Sequence, residues 1–382
     1  MRQSGFTGTY ACINLDNIVH NYKEACRLAG NDVIVSCVVK SDAYGHGEEQ
    51  VVQALSENGC SVFCVSTIDE AIRLRNNFRE IDILILGYTP KSMAGKVSEY
   101  NFIQTISSLP EANALNEAGP SKVHIKFNTG MNRLGFSPDE MEDIILINNM
   151  KNIKICGTYT HLHSSDSFSS RPSELQFDRF NKILTELRKK GINPGTLHVC
   201  NSGGIIKLPG MHMDMVRAGI MIYGLHPSGS EGKGTADLRE SMELRSFIAK
   251  IFNIKKGEGI SYGHDFIAPY DMKIATVNLG YSDGVFRGIG NKGEVIIDDR
   301  RRPIVGRVCM NMLMVDITGM DDVKVEDEVI VFGRDRSQFI SIDEVAGWAG
   351  TISYEIICRT GISVQRVYFK DGKPYKYGRG KD

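Results

Sequence analysis

The chain has 382 residues, and its 45 lysines and arginines against 46 aspartates and glutamates give a formal net charge of -1. Nucleic-acid binding needs a net basic surface, and a membrane span needs roughly 18 consecutive apolar residues that this chain lacks, so we expect neither kind of partner. The nine cysteines form no Cys-x-x-Cys pair, and no basic segment followed by an apolar one opens the chain, so we expect a reduced, cytoplasmic protein.

The first part of the chain alternates short apolar runs with helical patterns. Most runs are continuously apolar, which is typical of parallel strands covered on both faces. We predict strands at Val33–Lys40, Ser61–Ser66, Asp82–Gly87, Ile103–Ser107, Val123–Asn128, Ile155–His161, Leu197–Asn201 and Met213–Arg217. Between them, Ser66 or Thr67 is a candidate N-cap before two acidic residues, and Pro138 suits the first position of a helix. The apolar spacing from Glu174 to Lys190 predicts a further helix.

The order of these elements predicts the fold class. Eight strand–helix units in succession predict an α/β fold with an N-terminal (β/α)8 TIM-like barrel, and an open doubly wound sheet is the alternative. After Arg239 the pattern changes to strands separated by Gly, Asp and Asn turns, which indicates a mostly β C-terminal domain. Its strands are predicted at Phe247–Ile251, Lys273–Leu279, Glu294–Ile297, Pro303–Val308, Met312–Ile317 and Glu328–Phe332. We therefore predict a barrel domain at residues 10–237 and a C-terminal domain at residues 238–382, with residues 1–9 packing against the latter.

One lysine ends an apolar run and begins a polar, glycine-rich turn. Lys40 follows Val33–Val39 and precedes the segment Ser41-Asp42-Ala43-Tyr44-Gly45-His46-Gly47. Burying a lysine at the end of a hydrophobic strand costs free energy unless its charge is removed or used. A desolvated lysine amine is also what imine formation with an aldehyde requires. A strand-end lysine whose ammonium group reaches solvent is the alternative.

Ionisable and polar residues recur where the predicted barrel strands end, which is where the chemistry of such barrels takes place. They are Lys40, Tyr44, Lys126, Arg133, His161, His198, Asn201, Ser202, Arg217 and Gly219. The turns after strands seven and eight, at Ser202–Gly204 and Arg217–Ile220, are where such barrels often bind phosphate through backbone N–H groups. An imine-forming lysine, a phosphate site and an arginine together suggest pyridoxal 5'-phosphate as the cofactor.

Six motifs in order along the chain carry a resemblance to a known family. They are Val39-Lys40-x-Asp42-Ala43-Tyr44-Gly45-His46-Gly47, Lys126-Phe127-Asn128-Thr129-Gly130-Met131-Asn132-Arg133-Leu134-Gly135, Arg217-Ala218-Gly219-Ile220-Met221-Ile222-Tyr223-Gly224, Ser261-Tyr262-Gly263, Gly280-Tyr281-Ser282-Asp283-Gly284 and Val308-Cys309-Met310-Asn311. On these motifs, and over essentially its whole length, the chain resembles the alanine racemases, a family of barrel-fold pyridoxal-phosphate isomerases. The resemblance implies an enzyme that interconverts L-alanine and D-alanine and so supplies D-alanine for peptidoglycan. Its substrate would be a small molecule.

The resemblance implies two catalytic residues of different type. Lys40 forms an imine with the cofactor and, once freed by substrate, acts as the acid and base for the D-enantiomer. Tyr262 serves the L-enantiomer from the opposite face, and in this family it reaches the site from the partner subunit, so a homodimer is implied. Two opposed bases suit racemisation, because one removes a proton and the other returns it on the opposite face.

The resemblance also assigns the remaining positions of the site. Arg217 faces the ring nitrogen of the cofactor with His161 behind it, and His198 and Asn201 line the cofactor. The phosphate-binding positions are matched by Tyr44, Ser202, Gly219, Ile220 and Tyr354. The substrate-binding positions are matched by Arg133 at the carboxylate, the backbone of Met310, Tyr281 at the entrance and Asn311. Lys126 matches a lysine that is carbamylated in many family members, where the resulting anion orients the arginine.

Two positions depart from the family pattern. Asn128 and Asn311 stand where aspartate is usual, so two negative charges near the carboxylate-binding region are missing. One interpretation is neutral exchange of similar side chains. The other is an altered substrate pocket or a different charge state at Lys126. The polar segment His161–Ser167 is similar to that of serine racemases, whereas the bulky Tyr354 suits a methyl side chain, so alanine is favoured over serine.

Other functions share parts of the pattern. A serine racemase differs only in pocket residues, and an amino-acid decarboxylase of the same fold is disfavoured because Tyr262 follows the racemase motif. A pyridoxal-phosphate carrier protein usually consists of the barrel alone, so the predicted second domain argues against that function.

His161 and His163 would point to opposite faces of a strand, and no cysteine or carboxylate cluster completes a ligand set, so we expect no metal site. Gly288–Gly293 fits a dinucleotide pattern but precedes a predicted strand, which favours a β-turn.

Overall fold

The computed structural model describes residues 8–229 and 236–378, and its strands and helices are numbered β1–β20 and α1–α11 along the chain. The chain divides into two compact units. The barrel unit holds Ile18–Ala43 and Glu48–Arg239, and the sheet unit holds Met1–Asn17, Tyr44–Gly47 and Glu240–Asp382. The domain boundary predicted between residues 237 and 238 stays a prediction, and residues 230–235 next to it lie outside the described residues.

The barrel unit is built around a closed ring of parallel strands. Every strand predicted in the first part of the chain is present, and the observed bounds are β2 (Ile34–Val38), β3 (Val62–Val65), β4 (Asp82–Ile85), β5 (Ile103–Ile106), β6 (Ser121–Lys126), β7 (Ile153–Tyr159), β8 (Thr196–His198) and β9 (Met215–Ala218). Successive strands pair in parallel, and β2 pairs with β9 to close the ring. The predicted TIM-like barrel is confirmed, and the open doubly wound sheet is excluded.

Helices alternate with the barrel strands, and the first helix precedes β2. They are α1 (Leu15–Ala29), α2 (Lys40–Tyr44, a left-handed turn), α3 (Glu48–Ser56), α4 (Ile68–Asn77), α5 (Ala94–Glu99), α6 (Leu109–Ala118), α7 (Met141–Asn148), α8 (Arg171–Lys189) and α9 (Ser202–Lys207). Thr67 is the N-cap of α4, as one of the two predicted candidates, and forms a reciprocal capping box with Glu70. Helix α8 begins at Arg171, before its predicted start, because Pro172 is tolerated in the first helical turn.

The sheet unit is built on a ten-stranded sheet in the described part of the chain. Its strands are β1 (Tyr10–Asn14), β10 (Met242–Ile254), β13 (Met272–Val277), β14 (Glu294–Ile297), β15 (Arg300–Pro303), β16 (Leu313–Asp316), β17 (Glu328–Asp335), β18 (Gln338–Ile340), β19 (Gln365–Lys370) and β20 (Lys373–Gly378). A separate ribbon pairs β11 (Gly259–Ile260) with β12 (Phe266–Ile267), and the helices are α10 (Ile342–Ala349) and α11 (Ser353–Ser363). The predicted mostly β character of the C-terminal domain is confirmed.

Strand β1 lies between β10 and β19, antiparallel to the first and parallel to the second. Just before it, the Thr9 hydroxyl donates to the Asn278 carbonyl and contacts the Ser246 hydroxyl. An apolar pattern shows that a segment is a strand but not which distant strand it joins. The strands predicted from the sequence do not include Tyr10–Asn14, which lies in the range 10–237 predicted for the barrel domain.

The strand predicted at Pro303–Val308 is wrong, because β15 ends at Pro303. Beyond it, Gly306 adopts a φ of +76°, a left-handed conformation that interrupts an extended strand and suits glycine. The Gly306 N–H donates a hydrogen bond to the Asn291 side chain.

The interpretation of Gly288–Gly293 as a turn is confirmed, since a short 3-10 turn at Arg287–Ile289 leads directly to β14. No helix within residues 8–229 and 236–378 has the length and apolar character needed to cross a membrane.

Candidate active site

The residues that follow Lys40 form a left-handed helical turn. Ser41, Asp42, Ala43 and Tyr44 have φ values of 54°, 55°, 52° and 53°, and the Ala43 N–H donates to the Val39 carbonyl at 2.9 Å. None of these residues is glycine, so the turn costs roughly 1–2 kcal/mol per residue in backbone free energy. The chain therefore leaves β2 in a conformation that its own propensities disfavour, directly after the lysine that the sequence predicts to be catalytic.

Three cationic side chains surround a buried lysine at the end of β6. Lys126 is 4% exposed, and its Nζ lies 5.8 Å from the centre of the Tyr159 ring. Burial, reinforced by repulsion from Arg133, Arg217 and Lys40, lowers the pKa of Lys126 to about 8. The barrel thus brings together four of the predicted site residues. Among the described residues no carboxylate pairs with this lysine, so its amine loses its proton at a lower pH than that of an ordinary lysine.

Arg217, on β9, is a buried guanidinium without an acidic partner among the described residues. It is 3% exposed, and its Nη1 donates to His198 Nδ1 at 2.7 Å. Its Nη2 donates to the Thr160 and Val199 carbonyl oxygens at 3.0 Å and contacts His161 Nδ1 at 3.3 Å. Burial lowers the pKa of Arg217, but an arginine stays protonated in proteins. Its charge is therefore available to an acceptor inside the barrel.

The hydrogen bonds of Arg217 determine the protonation of its histidine neighbours. Arginine has only donors, so His198 Nδ1 must accept and the proton of the neutral ring must sit on Nε2. That Nε2–H then donates to His124 Nδ1, which lies 2.9 Å away. The Tyr159 ring stacks on His198 with centroids 4.5 Å apart, and its hydroxyl lies 3.0 Å from the Thr105 hydroxyl. The result is a buried chain of hydrogen bonds in which Arg217 donates to His198 and His198 donates to His124.

Burial and the charge of Arg217 keep these histidines neutral. Both effects lower the pKa of His124 to about 4 and that of His198 well below the usual range. Burial, followed by repulsion from Arg217 and the other cations, does the same to the pKa of His161. The guanidinium consequently faces neutral acceptors, and its charge is not matched within the barrel unit's described residues.

His124→Gln is expected to reduce the acid sensitivity of folding. As the pH falls below about 6.5, an unfolded chain protonates this histidine while the folded chain does not, so wild-type stability falls until the pH reaches about 4. The loss attributable to this one group is about 3 kcal/mol. Urea denaturation across that pH range measures it, with exposed His163→Gln as the control. Parallel pH curves for wild type and His124→Gln would contradict the assignment.

Sequence reasoning missed His124 and Tyr159, although a signal for both was available. His124 lies two positions before Lys126 on β6, and Tyr159 lies two positions before His161 in the strand predicted at Ile155–His161. Side chains two apart on a strand point to the same face. Gly157, also on β7, leaves the space for the His124 ring, because a Cβ atom there would lie 2.6 Å from that ring.

The predicted phosphate side of the site lies where β8 and β9 end. Asn201 is the N-cap of α9 and accepts from the Gly204 N–H and from the Ser165 hydroxyl. The Ser202 hydroxyl oxygen accepts from the Gly219 N–H at 2.9 Å and from the Met221 N–H at 3.4 Å. Its own proton therefore remains for an acceptor. Ile220 follows Gly219 and begins a short 3-10 turn.

These residues fit pyridoxal 5'-phosphate. No described residue accepts a hydrogen bond from Arg217 Nε, so a donor remains for a neutral ring nitrogen. The Ser202 hydroxyl, whose oxygen already accepts two N–H groups, suits a phosphate oxygen. Lys40 supplies an amine for an aldehyde, and its charge acts on both Lys126 and His161. The donors thus match a molecule with an aldehyde, a ring nitrogen and a phosphate.

The loop that carries Arg133 is held by asparagine side chains. Asn128 Oδ1 accepts from the Asn132 N–H at 2.9 Å, and Asn128 Nδ2 donates to Asn132 Oδ1 at 2.9 Å. An aspartate at position 128 could not make the second bond, because a carboxylate only accepts. The amide at position 128 therefore makes a hydrogen bond that the aspartate usual in the family could not make. Arg133 is exposed in the barrel unit.

In the sheet unit, two predicted phosphate-binding tyrosines lie near each other. The rings of Tyr44 and Tyr354 have centroids 6.2 Å apart and are tilted by 50°. Tyr354 is on α11, and a Cβ atom at Gly45 would lie 2.5 Å from the Ile357 carbonyl of the same helix. Gly45 therefore permits the close approach of the Tyr44 segment to α11.

Four other predicted site residues sit on three linked turns of the sheet unit. Tyr262 is 69% exposed, and Ser261 before it has a φ of 66° and donates from its hydroxyl to the Arg307 carbonyl. The Tyr281 N–H donates to the Cys309 carbonyl, and the Ser282 hydroxyl donates to the Met310 carbonyl at 2.9 Å. Asn311 Nδ2 donates to that same hydroxyl at 2.7 Å. An aspartate at position 311 would accept there instead, so Asn311 directs the hydroxyl toward Met310.

Comparison with known proteins identifies the family. The model described as alanine racemase, N-terminal domain, matches residues 13–227, and that of the C-terminal domain matches residues 241–368. The alanine racemase of Clostridium novyi is 38% identical over 375 residues, covering 96% of this chain and 97% of that protein. The solved alanine racemase of Clostridium difficile 630 has a TM-score of 0.91 at 34% identity, covering 98% of this chain and 99% of that one. The alanine racemase of Bacillus anthracis with bound L-Ala-P has a TM-score of 0.92 at 30% identity, covering 98% of each chain.

The matches extend over both units. They place the chain among barrel-fold isomerases with a second, strand-rich domain. The chain belongs to the alanine racemase family, as its six motifs predicted. Members of this family use pyridoxal 5'-phosphate.

Proposed function

We propose that this protein interconverts L-alanine and D-alanine with pyridoxal 5'-phosphate, in the cytoplasm, and supplies D-alanine for peptidoglycan. The observation that carries the proposal is the group of cationic side chains at the strand ends of the barrel, Lys40, Lys126, Arg133 and Arg217, in a chain of the alanine racemase family. The solved relative from Bacillus anthracis holds L-Ala-P, a molecule related to alanine.

The residues that the family resemblance assigns to the cofactor would hold it. Lys40 would bind its aldehyde carbon, and Arg217, oriented by His161 and His198, would donate to its ring nitrogen. Tyr44, Asn201, Ser202, Gly219, Ile220 and Tyr354 are assigned to its ring and phosphate. When bound, the cofactor withdraws electrons from the substrate and makes the proton at Cα acidic. Because Arg217 would donate a hydrogen bond without giving up a proton, it would leave the ring nitrogen unprotonated, which would limit transamination.

Two residues move the proton at the substrate Cα. Lys40 Nζ removes it from D-alanine or returns it to that face, and the Tyr262 hydroxyl does the same for L-alanine. We assign this tyrosine to the partner subunit of a homodimer. The high exposure of Tyr262 and the turn held by Ser261 support the proposal, since a side chain presented to solvent can enter a neighbouring site.

Arg133, with Tyr281, the Met310 backbone and Asn311, is proposed to bind substrate. We expect Arg133→Ala to raise KM by about tenfold to a hundredfold with a smaller change in kcat. The arginine contacts the substrate carboxylate equally in the ground and transition states, and a hydrogen bond to a charged group contributes to that extent. Steady-state kinetics with L-alanine measures the change, and Arg133→Lys, which keeps the charge but loses the planar fork, is expected to fall between. An unchanged KM would place Arg133 outside the substrate site.

Lys126 is proposed to be carbamylated. Its neutral nitrogen attacks CO2, the nitrogen proton passes to solvent, and the carbamate anion is stabilised by Arg133, Arg217 and Lys40. Because the reaction needs the neutral amine, the extent of modification should decrease progressively as the pH falls below about 8. Carbon-13 NMR with labelled bicarbonate should show a carbamate signal that Lys126→Ala lacks and exposed Lys154→Ala retains. A wild-type spectrum without the signal, in saturating bicarbonate above that pH, would contradict the proposal.

The experiment that tests the function is exchange of the Cα hydrogen in D2O. Purified, cofactor-loaded protein receives L-alanine or L-serine, and proton NMR with chiral analysis follows each product. Faster exchange and racemisation of alanine would support the proposal, and faster reaction of serine would assign a serine racemase. No exchange with either amino acid would reject a racemase and favour a decarboxylase or a cofactor carrier.

A further inference from the structure

Two helices of the barrel unit begin with the same hydrogen-bonded arrangement of a glutamate and a serine. Glu70 at the start of α4 and Glu111 at the start of α6 each accept from the backbone N–H of a serine four residues earlier, Ser66 and Ser107 respectively, at 2.7 Å. Such a carboxylate satisfies a backbone donor at a helix start that would otherwise lack a partner. For this purpose one carboxylate oxygen is enough.

The second oxygen of the two glutamates is used differently. Glu111 Oε1 accepts from the hydroxyl of its own Ser107, at 3.2 Å. Glu70 Oε1 instead accepts from the Ser41 N–H, which belongs to a segment far away in the sequence, at 2.7 Å. Glu70 Oε2 also accepts from the Thr67 N–H, so this carboxylate, 9% exposed, binds three backbone donors. Glu70 therefore does more than begin its own helix.

Ser41 is the first residue of the left-handed turn that follows Lys40. A turn of four non-glycine residues at positive φ persists only where surrounding contacts stabilise it. Besides the Glu70 carboxylate, the Asp42 side chain ties the turn to α3 by accepting from the Glu48 N–H at 2.8 Å. The bond from Glu70 is the one adjacent to Lys40, on the peptide unit that joins the lysine to the turn.

We infer that Glu70 is a positioning residue for Lys40, because it holds the left-handed turn through the Ser41 N–H and so sets where the lysine leaves β2. The inference rests on the proposed function insofar as it concerns catalysis by Lys40. Glu70 is assigned no contact with substrate or cofactor, and its role would be exerted through the Ser41 N–H. Glu111 has the same role at its own helix but no bond to the Lys40 segment, so the chain contains its own control.

Glu70→Gln tests the inference with a side chain of nearly the same shape. The single amide oxygen can accept from Ser66 and Thr67, but the amide N–H group then faces the Ser41 N–H and no bond forms. Glu111→Gln makes the equivalent change where no catalytic segment is attached. Hydrogen exchange of the Ser41 amide in the full-length protein and steady-state kinetics in both directions are measured for each variant.

We expect Glu70→Gln to speed exchange at Ser41 and to lower kcat by about tenfold to a hundredfold, the range for a hydrogen bond to a charged group, with KM changed less than twofold. Glu111→Gln should leave both quantities within about twofold of wild type. The exposed Ser41 can also be replaced by glycine, which adopts positive φ without steric cost. Ser41→Gly should therefore restore most of the kcat lost in Glu70→Gln, whereas a helix cap alone could not be rescued from position 41.

Three results would overturn the inference: unchanged exchange at Ser41 in Glu70→Gln, an equal loss of kcat in Glu111→Gln, or no recovery with Ser41→Gly. If Glu70→Gln alone does not fold, the double variant with Ser41→Gly decides, because relief of the turn should allow it to fold. Failure of both to fold would reduce Glu70 to a structural cap and overturn the inference. Exchange at Ser41 does not require activity, so a protein inactive toward alanine but sensitive to Glu70→Gln at this amide would reject the proposed function alone.

Discussion

Replacing Lys40 by alanine is expected to lower the rate of alanine racemisation in both directions by about 10⁴-fold. This is the upper end of what a positioned general base contributes. The variant also loses the amine that holds the cofactor covalently. Chiral analysis of the product measures the first effect. Borohydride reduction followed by peptide mass spectrometry measures the second, since wild type should carry the cofactor on the peptide that contains Lys40.

The control for this experiment is Lys154→Ala, which removes an exposed lysine from β7. It should retain both the activity and the covalent attachment. Attachment of the cofactor to another residue in the wild-type protein would remove Lys40 from its assigned role. Residual activity of Lys40→Ala within tenfold of wild type would do the same.

Tyr262→Phe is expected to separate proton removal from the two enantiomers. Enantiomers have equal free energy, so kcat/KM for racemisation must fall equally in both directions, by about 10²- to 10⁴-fold. Exchange without inversion need not fall equally. With D-alanine in D2O, Lys40 can still remove and return the Cα proton, so the remaining D-alanine should gain deuterium. With L-alanine, exchange should nearly stop, because the group that faces its proton is missing.

Proton NMR of the remaining substrate measures this difference directly. Tyr270→Phe is the matched control, since Tyr270 is a half-exposed tyrosine of the same unit whose hydroxyl donates to Asp316. It should leave both exchange rates unchanged. Equal, small effects of Tyr262→Phe on the two enantiomers would show that the second base is another group.

The barrel was predictable because its strands are buried on both faces and therefore read as continuous apolar runs. Cap residues such as Thr67 showed where helices begin, and the change after Arg239 from helices to turns marked the second kind of architecture. Strand β1 was not predicted, and its pairing with β10 and β19 depends on residues hundreds of positions later. A local sequence pattern predicts whether a segment is a helix or a strand better than it predicts which strand that segment pairs with.

The sequence predicted which residues lie at the barrel's strand ends but not their backbone conformation or their protonation. The motif around Lys40 and the residues at strand ends pointed to the barrel's cationic cluster, which the structure contains. The left-handed turn at Ser41–Tyr44 was not predictable, because Ser, Asp, Ala and Tyr each disfavour positive φ and only contacts such as that with Glu70 make it stable. Which atom of His198 carries a proton likewise depends on Arg217 being within 2.7 Å, a distance that no sequence pattern contains.

The position of β1 between β10 and β19 has a consequence for synthesis on the ribosome. The barrel can close as soon as β9 has emerged, but the segment Tyr10–Asn14 must wait for β19, which lies near the end of the chain. Until then its backbone donors and acceptors are an open edge for pairing with another nascent chain. A recombinant fragment that starts near Glu240 would lack this central strand, and supplying residues 8–17 as a separate peptide should be required to complete its sheet.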